Sequence, residues 1–147
     1  MTMSQEPKQN RVLVFGTFDL LHPGHLSFLR QARKLGRELY VVVARDKNSE
    51  KLKGKHPIQN EQFRLNAIAK LPFVTKALLG QIELSHRYKL VRELEPDIIA
   101  LGYDQFLLTT TLADDFKVLG LNIQLVRLKP YRADRYKSSI LRQKLNN

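Results

Sequence analysis

The sequence predicts an α/β fold: a doubly wound parallel sheet of five strands with helices on both faces. Three observations predict it. Short apolar runs alternate with longer stretches of helical periodicity from residue 11 to residue 145. Within each run the apolar residues are consecutive, which is typical of strands covered on both faces. The 147 residues, 43% of them hydrophobic, suffice for one sizeable core.

The first half of the chain contributes two strands and two helices. The predicted strands are residues 11–15 (RVLVF) and 39–44 (LYVVVA), and the predicted helices are residues 24–35 and 60–71. The first helix follows from the three-residue recurrence of Leu26, Leu29 and Ala32, and Gly36 stands where a helix commonly ends. The second helix ends before Pro72, which cannot continue it.

The second half repeats the alternation. The predicted strands are residues 74–79, 97–101 and 122–126, and the predicted helices are residues 84–94, 104–119 and 138–145. Pro96 ends the first of these helices, and the β-branched run Thr109–Thr111 weakens the second. Strands and helices that alternate throughout indicate a Rossmann-like parallel sheet. The chain has no repeat or linker, so residues 1–147 are predicted as one domain, with residues 1–10 as a flexible tail.

Composition limits the classes of function. There is no cysteine, so disulfides and thiolate metal sites are excluded. The polar first ten residues are not a signal peptide, and no apolar run approaches the roughly 20 residues of a membrane span. We therefore expect a soluble, cytoplasmic protein. The net charge of +11 fits nucleic acid, a polyphosphate metabolite or a solvated basic surface. It is concentrated in residues 45–55 and 127–147.

The loops that follow the strands are the expected location of a site. In open parallel sheets, ligands bind beyond the carboxyl ends of the strands. The corresponding loops are residues 16–23, 45–59, 102–105 and 127–137. The second is long, and a loop of that length without secondary structure is usually functional or disordered.

The first loop carries the motif with the most chemistry, HPGH at residues 22–25. Gly16 ends the preceding strand, and we expect its missing Cβ to let a ligand approach the backbone. His22 and His25 lie at a helix N-terminus, three residues apart and on one face. Helix N-termini attract anions, so the two imidazoles are expected to donate hydrogen bonds to phosphate. Simple helix caps, surface residues or a zinc site are the alternatives, although no third zinc ligand is evident nearby.

The stretch GTFDLLHPGH resembles the signature of the cytidylyltransferase-like nucleotidyltransferases, whose mark is His-x-Gly-His. The resemblance runs from about residue 11 to residue 145. It implies that His22 and His25 stabilise the α-phosphate during transfer, and that Asp19 lies near a divalent metal, Mg²⁺, or near the acceptor. The alternative for Asp19 is a cap of the N-terminal turn.

The resemblance also implies a wider set of site residues. Lys53, or Lys51 as an alternative, matches the family's phosphate-binding lysine on a mobile loop. Asp104 is expected to bind the nucleotide, and its alternative role is that of a helix cap. The residues expected to bind the nucleotide are Gly16, Thr17, Phe18, Arg64, Gly102, Asp104, Arg132, Ser138 and Ser139. The sequence departs from the family pattern at Gln62-Phe63, Arg135 and Lys137. His56 and His86 match nothing and are interpreted as surface residues.

The resemblance implies transfer of a nucleoside monophosphate to a phosphate ester, with release of pyrophosphate. GTFDLLHPGH, VVVARD and ALGYDQ are most similar to members that transfer AMP from ATP to FMN. Glycerol-3-phosphate cytidylyltransferases, which use CTP, and sugar-phosphate adenylyltransferases are alternatives, and relatives are often homodimers. A basic nucleic-acid-binding module is the alternative of another class. It is disfavoured because only Tyr131 and Tyr136 are interleaved with the basic residues.

Overall fold

Five parallel strands and five helices make up the part of the chain that the computed structural model describes, residues 10–81, 87–102 and 106–130. The side chains of residues 51–53, 87 and 106–111 are not part of that description. The strands are β1 (Arg11–Gly16), β2 (Glu38–Val43), β3 (Lys76–Leu79), β4 (Ile98–Leu101) and β5 (Gln124–Arg127). The helices are α1 (Pro23–Lys34), α2 (Asp46–Lys53), α3 (Glu61–Ala69), α4 (Arg87–Leu94) and α5 (Phe106–Leu119).

The sheet has the order β3-β2-β1-β4-β5, and all its pairings are parallel. Its two faces are covered by different helices, because successive side chains of a strand point to opposite faces. Val12 and Val14 belong to the apolar cluster that includes Leu29 of α1 and Ile68 of α3. Leu13 belongs to the opposite cluster, which contains residues of α4 and α5. The predicted fold class is confirmed.

The chain differs from the prediction in two places. Helix α2 lies within residues 45–59, which were predicted to be a loop. Asn10, assigned to the flexible tail, accepts hydrogen bonds at its carbonyl from the N–H groups of Arg37 and Glu38. The predicted helix at residues 138–145 lies outside the described residues. No helix in the described ranges has the length and apolarity needed to cross a bilayer.

The topology locates the site. β1 is the middle strand of the sheet. The chain adds β2 and then β3 on one side of β1, and then crosses over to add β4 and β5 on the other side. Gly16 pairs with Val43, and Val43 pairs with Leu79, so these three strands end level with one another. Gly102 follows β4 at the same edge. Ligands of open α/β sheets bind where the strand order reverses, which here lies between β1 and β4.

Candidate functional site

Two histidines close the N-terminus of α1. His22 is the N-cap, and its Nδ1 accepts a hydrogen bond from the Gly24 N–H at 3.0 Å. The Nδ1 atom of His25 in turn accepts from the His22 N–H at 3.3 Å. Pro23 occupies the first helical position, where its missing N–H costs nothing. Because each Nδ1 accepts a backbone N–H, a neutral ring carries its proton on Nε2. Both rings therefore carry an Nε2–H at one helix N-terminus, and the Nε2 atom of His22 is buried.

The two rings stack on one another, with centroids 3.7 Å apart and planes inclined by 26°. His25 is half-buried, whereas His22 is buried, with 9% of its surface exposed. Burial lowers the pKa of His22 below its ordinary value of 6.5. The sequence predicted the two side chains at one helix N-terminus, and the structure brings them together there. His22 is the inner ring of the pair, because the ring of His25 packs against it.

The lowered pKa of His22 predicts a loss of stability in mild acid. Below pH 6.5 His22 takes up a proton in the unfolded chain more readily than in the folded chain. The free energy of unfolding therefore decreases as the pH is lowered, until the pH falls below the pKa of His22 in the folded protein. Thermal unfolding of the wild type and of His22→Asn between pH 7.5 and pH 5 tests this. Asparagine retains the cap and does not titrate, so the variant should show the shallower decline. His56→Asn, which replaces an exposed histidine, should follow the wild type. Parallel curves for His22→Asn and the wild type would contradict the prediction.

Gly16 and Phe18 pack against each other. A Cβ on Gly16 would lie 2.6 Å from Cε2 of Phe18, so the glycine makes room for this ring. Phe18 is 5% exposed, and its ring stands edge-on to His25, with centroids 5.5 Å apart. It has a φ of 55°, a conformation that a bulky residue rarely adopts. The expected reason for Gly16, approach of a ligand to the backbone, is wrong, because the chain's own Phe18 fills that space. The side chain of Phe18 supports His25.

Asp19 fastens residues 17–22, which we call the histidine loop, to the segment before α3. Its Oδ2 accepts the Ile58 N–H at 2.8 Å, and its Oδ1 accepts the Gln59 N–H at 2.9 Å. The Gln59 Oε1 atom accepts the Leu20 N–H at 3.0 Å. We call these three hydrogen bonds the Asp19 bridge. Asp19 is buried, and the described residues contain no group of three acidic or histidine side chains that could hold a metal. The expected metal role of Asp19 stays a prediction.

Arg64 was expected to contact the nucleotide, but it is fully buried, with 0% of its surface exposed. Its Nε donates to the Gln59 carbonyl at 2.9 Å and its Nη1 to the Thr17 carbonyl at 2.7 Å. Its Nη2 forms an ion pair with Asp46 Oδ1 at 2.5 Å. The guanidinium is therefore used within the protein, and the expectation of a direct contact is wrong for this structure. Arg64 holds together the histidine loop, the segment before α3 and the first turn of α2.

Sequence reasoning missed the residues that attach α2. Thr17 Oγ1 and Ser49 Oγ are hydrogen-bonded at 3.0 Å, and both side chains are buried. Asp46 and Glu61 each accept the other's backbone N–H, at 3.2 Å and 2.9 Å. Arg45 pairs with Glu61 at 3.1 Å. A usable signal was the acidic residue at the first position of α2 and of α3, where the macrodipole favours it.

The remaining predicted residues are described in part or not at all. Thr17 is buried beside Ser49, and Gly102 lies at the end of β4. Lys53 ends α2, but its side chain belongs to the undescribed part. Asp104, Arg132, Ser138 and Ser139 lie outside the described residues. Their roles stay predictions.

The chain is similar to known proteins over most of its length. A cytidylyltransferase-like family model matches residues 13–144. A curated protein named FAD synthase from Aciduliprofundum boonei is 48% identical over 121 residues, covering 82% of this chain and 79% of that protein. Another FAD synthase, from Thermoplasma acidophilum, is 42% identical over 135 residues, covering 92% of this chain and 93% of that one.

Solved structures agree on the fold. One from Thermoplasma volcanium, described as a lipopolysaccharide core biosynthesis protein, is 43% identical and has a TM-score of 0.76, covering 82% of this chain and 97% of that one. A pantoate-beta-alanine ligase from Francisella tularensis has a TM-score of 0.55 at 13% identity, covering 97% of this chain and 72% of that one, which is a likeness of fold alone.

Proposed function

The chain belongs to the cytidylyltransferase-like family, and from that premise we propose that it transfers AMP from ATP to FMN, giving FAD and pyrophosphate. The observation that carries the proposal is the His22–His25 pair, two imidazoles whose Nδ1 atoms are both occupied by backbone N–H groups. FAD synthases at 42–48% identity cover more than three quarters of the chain and supply the substrates. The enzyme is an FMN adenylyltransferase.

The reaction needs positioning more than covalent help. A phosphate oxygen of FMN attacks the α-phosphorus of ATP in line, a new P–O bond forms, and the bond to the β-phosphate oxygen breaks to release pyrophosphate. The attacking phosphate is already ionised, so no strong base is required. Negative charge that builds up on the α-phosphate is stabilised by N–H donors held in advance at a helix N-terminus. The proposed donors are His25, whose ring Phe18 positions, and His22, whose buried Nε2–H is proposed to be uncovered by a shift of the stacked His25 ring when the phosphate binds.

Residues beyond the described site complete the proposal. Lys53 is proposed to close over the triphosphate, and Arg132, Ser138 and Ser139 to hold the leaving pyrophosphate. Gly102 and Asp104 are proposed to contact the base. Magnesium usually takes one or two carboxylates together with substrate phosphates, so a Mg²⁺ ion brought in by ATP fits a site whose described residues offer no metal cage. Such an ion would neutralise polyphosphate charge.

The proposed reaction is tested by chromatography of the products. We expect ATP and FMN to yield FAD and pyrophosphate, whereas riboflavin, which lacks the attacking phosphate, yields no FAD. CTP replaces ATP in a matched set, and glycerol 3-phosphate and a sugar 1-phosphate replace FMN. If CTP is consumed with glycerol 3-phosphate and no mixture yields FAD, the chain would instead be a glycerol-3-phosphate cytidylyltransferase.

Adenylyl transfer to a sugar phosphate is a second candidate, favoured by one observation. The similar structure from Thermoplasma volcanium is described by a role in lipopolysaccharide core biosynthesis, which is sugar chemistry. The sugar 1-phosphate arm of the same assay decides between the two acceptors.

Three further features belong to the proposal. The cytoplasm is the proposed location, because both substrates are phosphorylated metabolites and the sequence contains no cysteine. Nucleic acid is not a proposed partner. A homodimer is proposed from the family resemblance, and light scattering coupled to gel filtration measures its mass.

A further inference from the structure

Exposed large apolar side chains are scarce and unevenly distributed. Among the described residues they are Ile58, Phe63 and Val118, with 48%, 56% and 85% of their surface exposed. An isolated exposed apolar residue is ordinary, and Val118 on α5 is one. Ile58 and Phe63, however, lie five positions apart on the segment that enters α3. That segment is the one fastened to the histidine loop.

The contacts of this segment bring Ile58 next to the site. The Ile58 N–H donates to Asp19 Oδ2 at 2.8 Å, and Asp19 precedes His22 by three residues, a span of at most about 11 Å. The Asp19 bridge also holds Leu20, a half-buried apolar residue, to Gln59. Two apolar residues, Leu20 and Ile58, therefore lie at the points where the histidine loop and this segment are joined.

Phe63 extends the same surface. Asn60 caps α3 by accepting the Phe63 N–H at 2.8 Å, so Phe63 lies in the first turn of the helix. Helical side chains lean toward the helix N-terminus, which directs the Phe63 ring back toward residues 58–60. The neighbouring Arg64 is fully buried, and its hydrogen bond to the Gln59 carbonyl fixes this first turn. Phe63 and Ile58 are thus two exposed apolar side chains on one segment that hydrogen bonds hold in place.

FMN has one feature that neither ATP nor a small phosphate ester has, a broad aromatic ring system at the far end of a five-carbon chain from its phosphate. When the phosphate of FMN lies at the α-phosphate of ATP, near His22 and His25, the five-carbon chain carries the ring away from the histidines. The segment that Asp19 holds beside the histidine loop offers exposed apolar side chains there. Aromatic rings gain from contact with apolar side chains and from edge or offset contact with other rings. The charged phosphate end lies on the side of the helix N-terminus.

We infer that Ile58 and Phe63 form the surface on which the isoalloxazine ring of FMN packs, and that they make the enzyme select a flavin over smaller phosphate acceptors. This inference rests on the proposed function. A phenylalanine at position 63 gives a ring contact that a polar residue would not supply. The surface acts on FMN alone, so it affects acceptor affinity and leaves the ATP site unchanged.

The test uses Ile58→Ser and Phe63→Ser, with Val118→Ser as the matched control, since all three replace an exposed apolar side chain and should fold normally. We expect KM for FMN to rise about tenfold in each of the first two variants, as removal of a partly buried apolar contact predicts. KM for ATP should stay constant, and Val118→Ser should match the wild type. Quenching of FMN fluorescence on titration with each protein gives the affinity independently of turnover.

Other outcomes separate the inference from its premise. FAD formation by every variant with an unchanged KM for FMN overturns the inference and leaves the proposed function intact. An equal rise in KM for ATP overturns it too, because the segment would then act on the whole site. A change of oligomeric mass in Ile58→Ser or Phe63→Ser, with FMN affinity unchanged, assigns the surface to a second copy of the chain instead. If the wild-type protein forms no FAD, the proposed function itself is wrong.

Discussion

Replacement of His25 by alanine is expected to lower turnover by at least about a hundredfold. Loss of one donor that stabilises charge in a transition state typically costs about 10²–10³ in rate. The effect should fall mainly on kcat, because the donor is needed most when the α-phosphate gains charge. His25 is half-buried and its ring is supported by Phe18, so the alanine variant should remain folded. Initial rates of pyrophosphate release at saturating ATP and FMN provide the measurement.

Matched variants separate catalysis from capping. His22→Ala removes both an imidazole and the N-cap, so it should lose activity and also about 1 kcal/mol of stability. His22→Asn retains a good cap but no imidazole, so its stability should be near that of the wild type while its activity stays low. His56→Ala removes an exposed histidine and should change neither. Turnover near the wild-type value in His25→Ala would contradict the site assignment.

Replacement of Arg64 by methionine is expected to destabilise the protein by about 3–5 kcal/mol, the usual loss when one partner of a buried ion pair is removed. The reason is that Asp46 Oδ1 and the carbonyls of Thr17 and Gln59 would all lose a charged donor at once. The free energy of unfolding is measured by urea titration, with the slope against urea checked for a change in the denatured state.

Arg45 provides the control for Arg64. It also forms an ion pair, with Glu61 at 3.1 Å, but both side chains of that pair are about 30% exposed. Exposed pairs contribute about 1 kcal/mol or less, so Arg45→Met should be much milder than Arg64→Met. An equal decrease in the free energy of unfolding in the two variants would mean that burial adds little to the stability contributed by the Arg64 hydrogen bonds.

The sequence predicted the sheet because the strands are continuous apolar runs, and it predicted α1 because its apolar residues recur at helical spacing. Helix α2 has no such pattern. Residues 46–53 are mostly charged or polar, so periodicity gives no helical signal there. The helix is fixed instead by tertiary hydrogen bonds, one between the hydroxyls of Ser49 and Thr17 and one from the Asn48 side chain to the Gln81 carbonyl. Such contacts cannot be known before the fold is known.

The site shows the same division between local and tertiary signals. His22 and His25 were predicted because their roles depend on local spacing at one helix N-terminus. Arg64 was assigned to the nucleotide because its position matches that of the family's helix-borne arginine. Its burial depends on acceptors 5, 18 and 47 positions away in the sequence, the last of them Thr17. Phe18 was placed at the nucleotide for its position in the motif, whereas packing against Gly16 determines its orientation.

The sheet order has a consequence for how the protein is made. β1 is the central strand, but its partner β4 is synthesised more than eighty residues later. Until residues 98–101 leave the ribosome, one long edge of β1 has no strand to pair with, and unpaired edges of apolar strands invite association with other chains. The histidine loop follows directly from that edge, and Gly102 on the opposite wall does not yet exist. A nascent chain therefore passes through a stage in which both histidines are present but the proposed nucleotide site lacks the residues that follow β4.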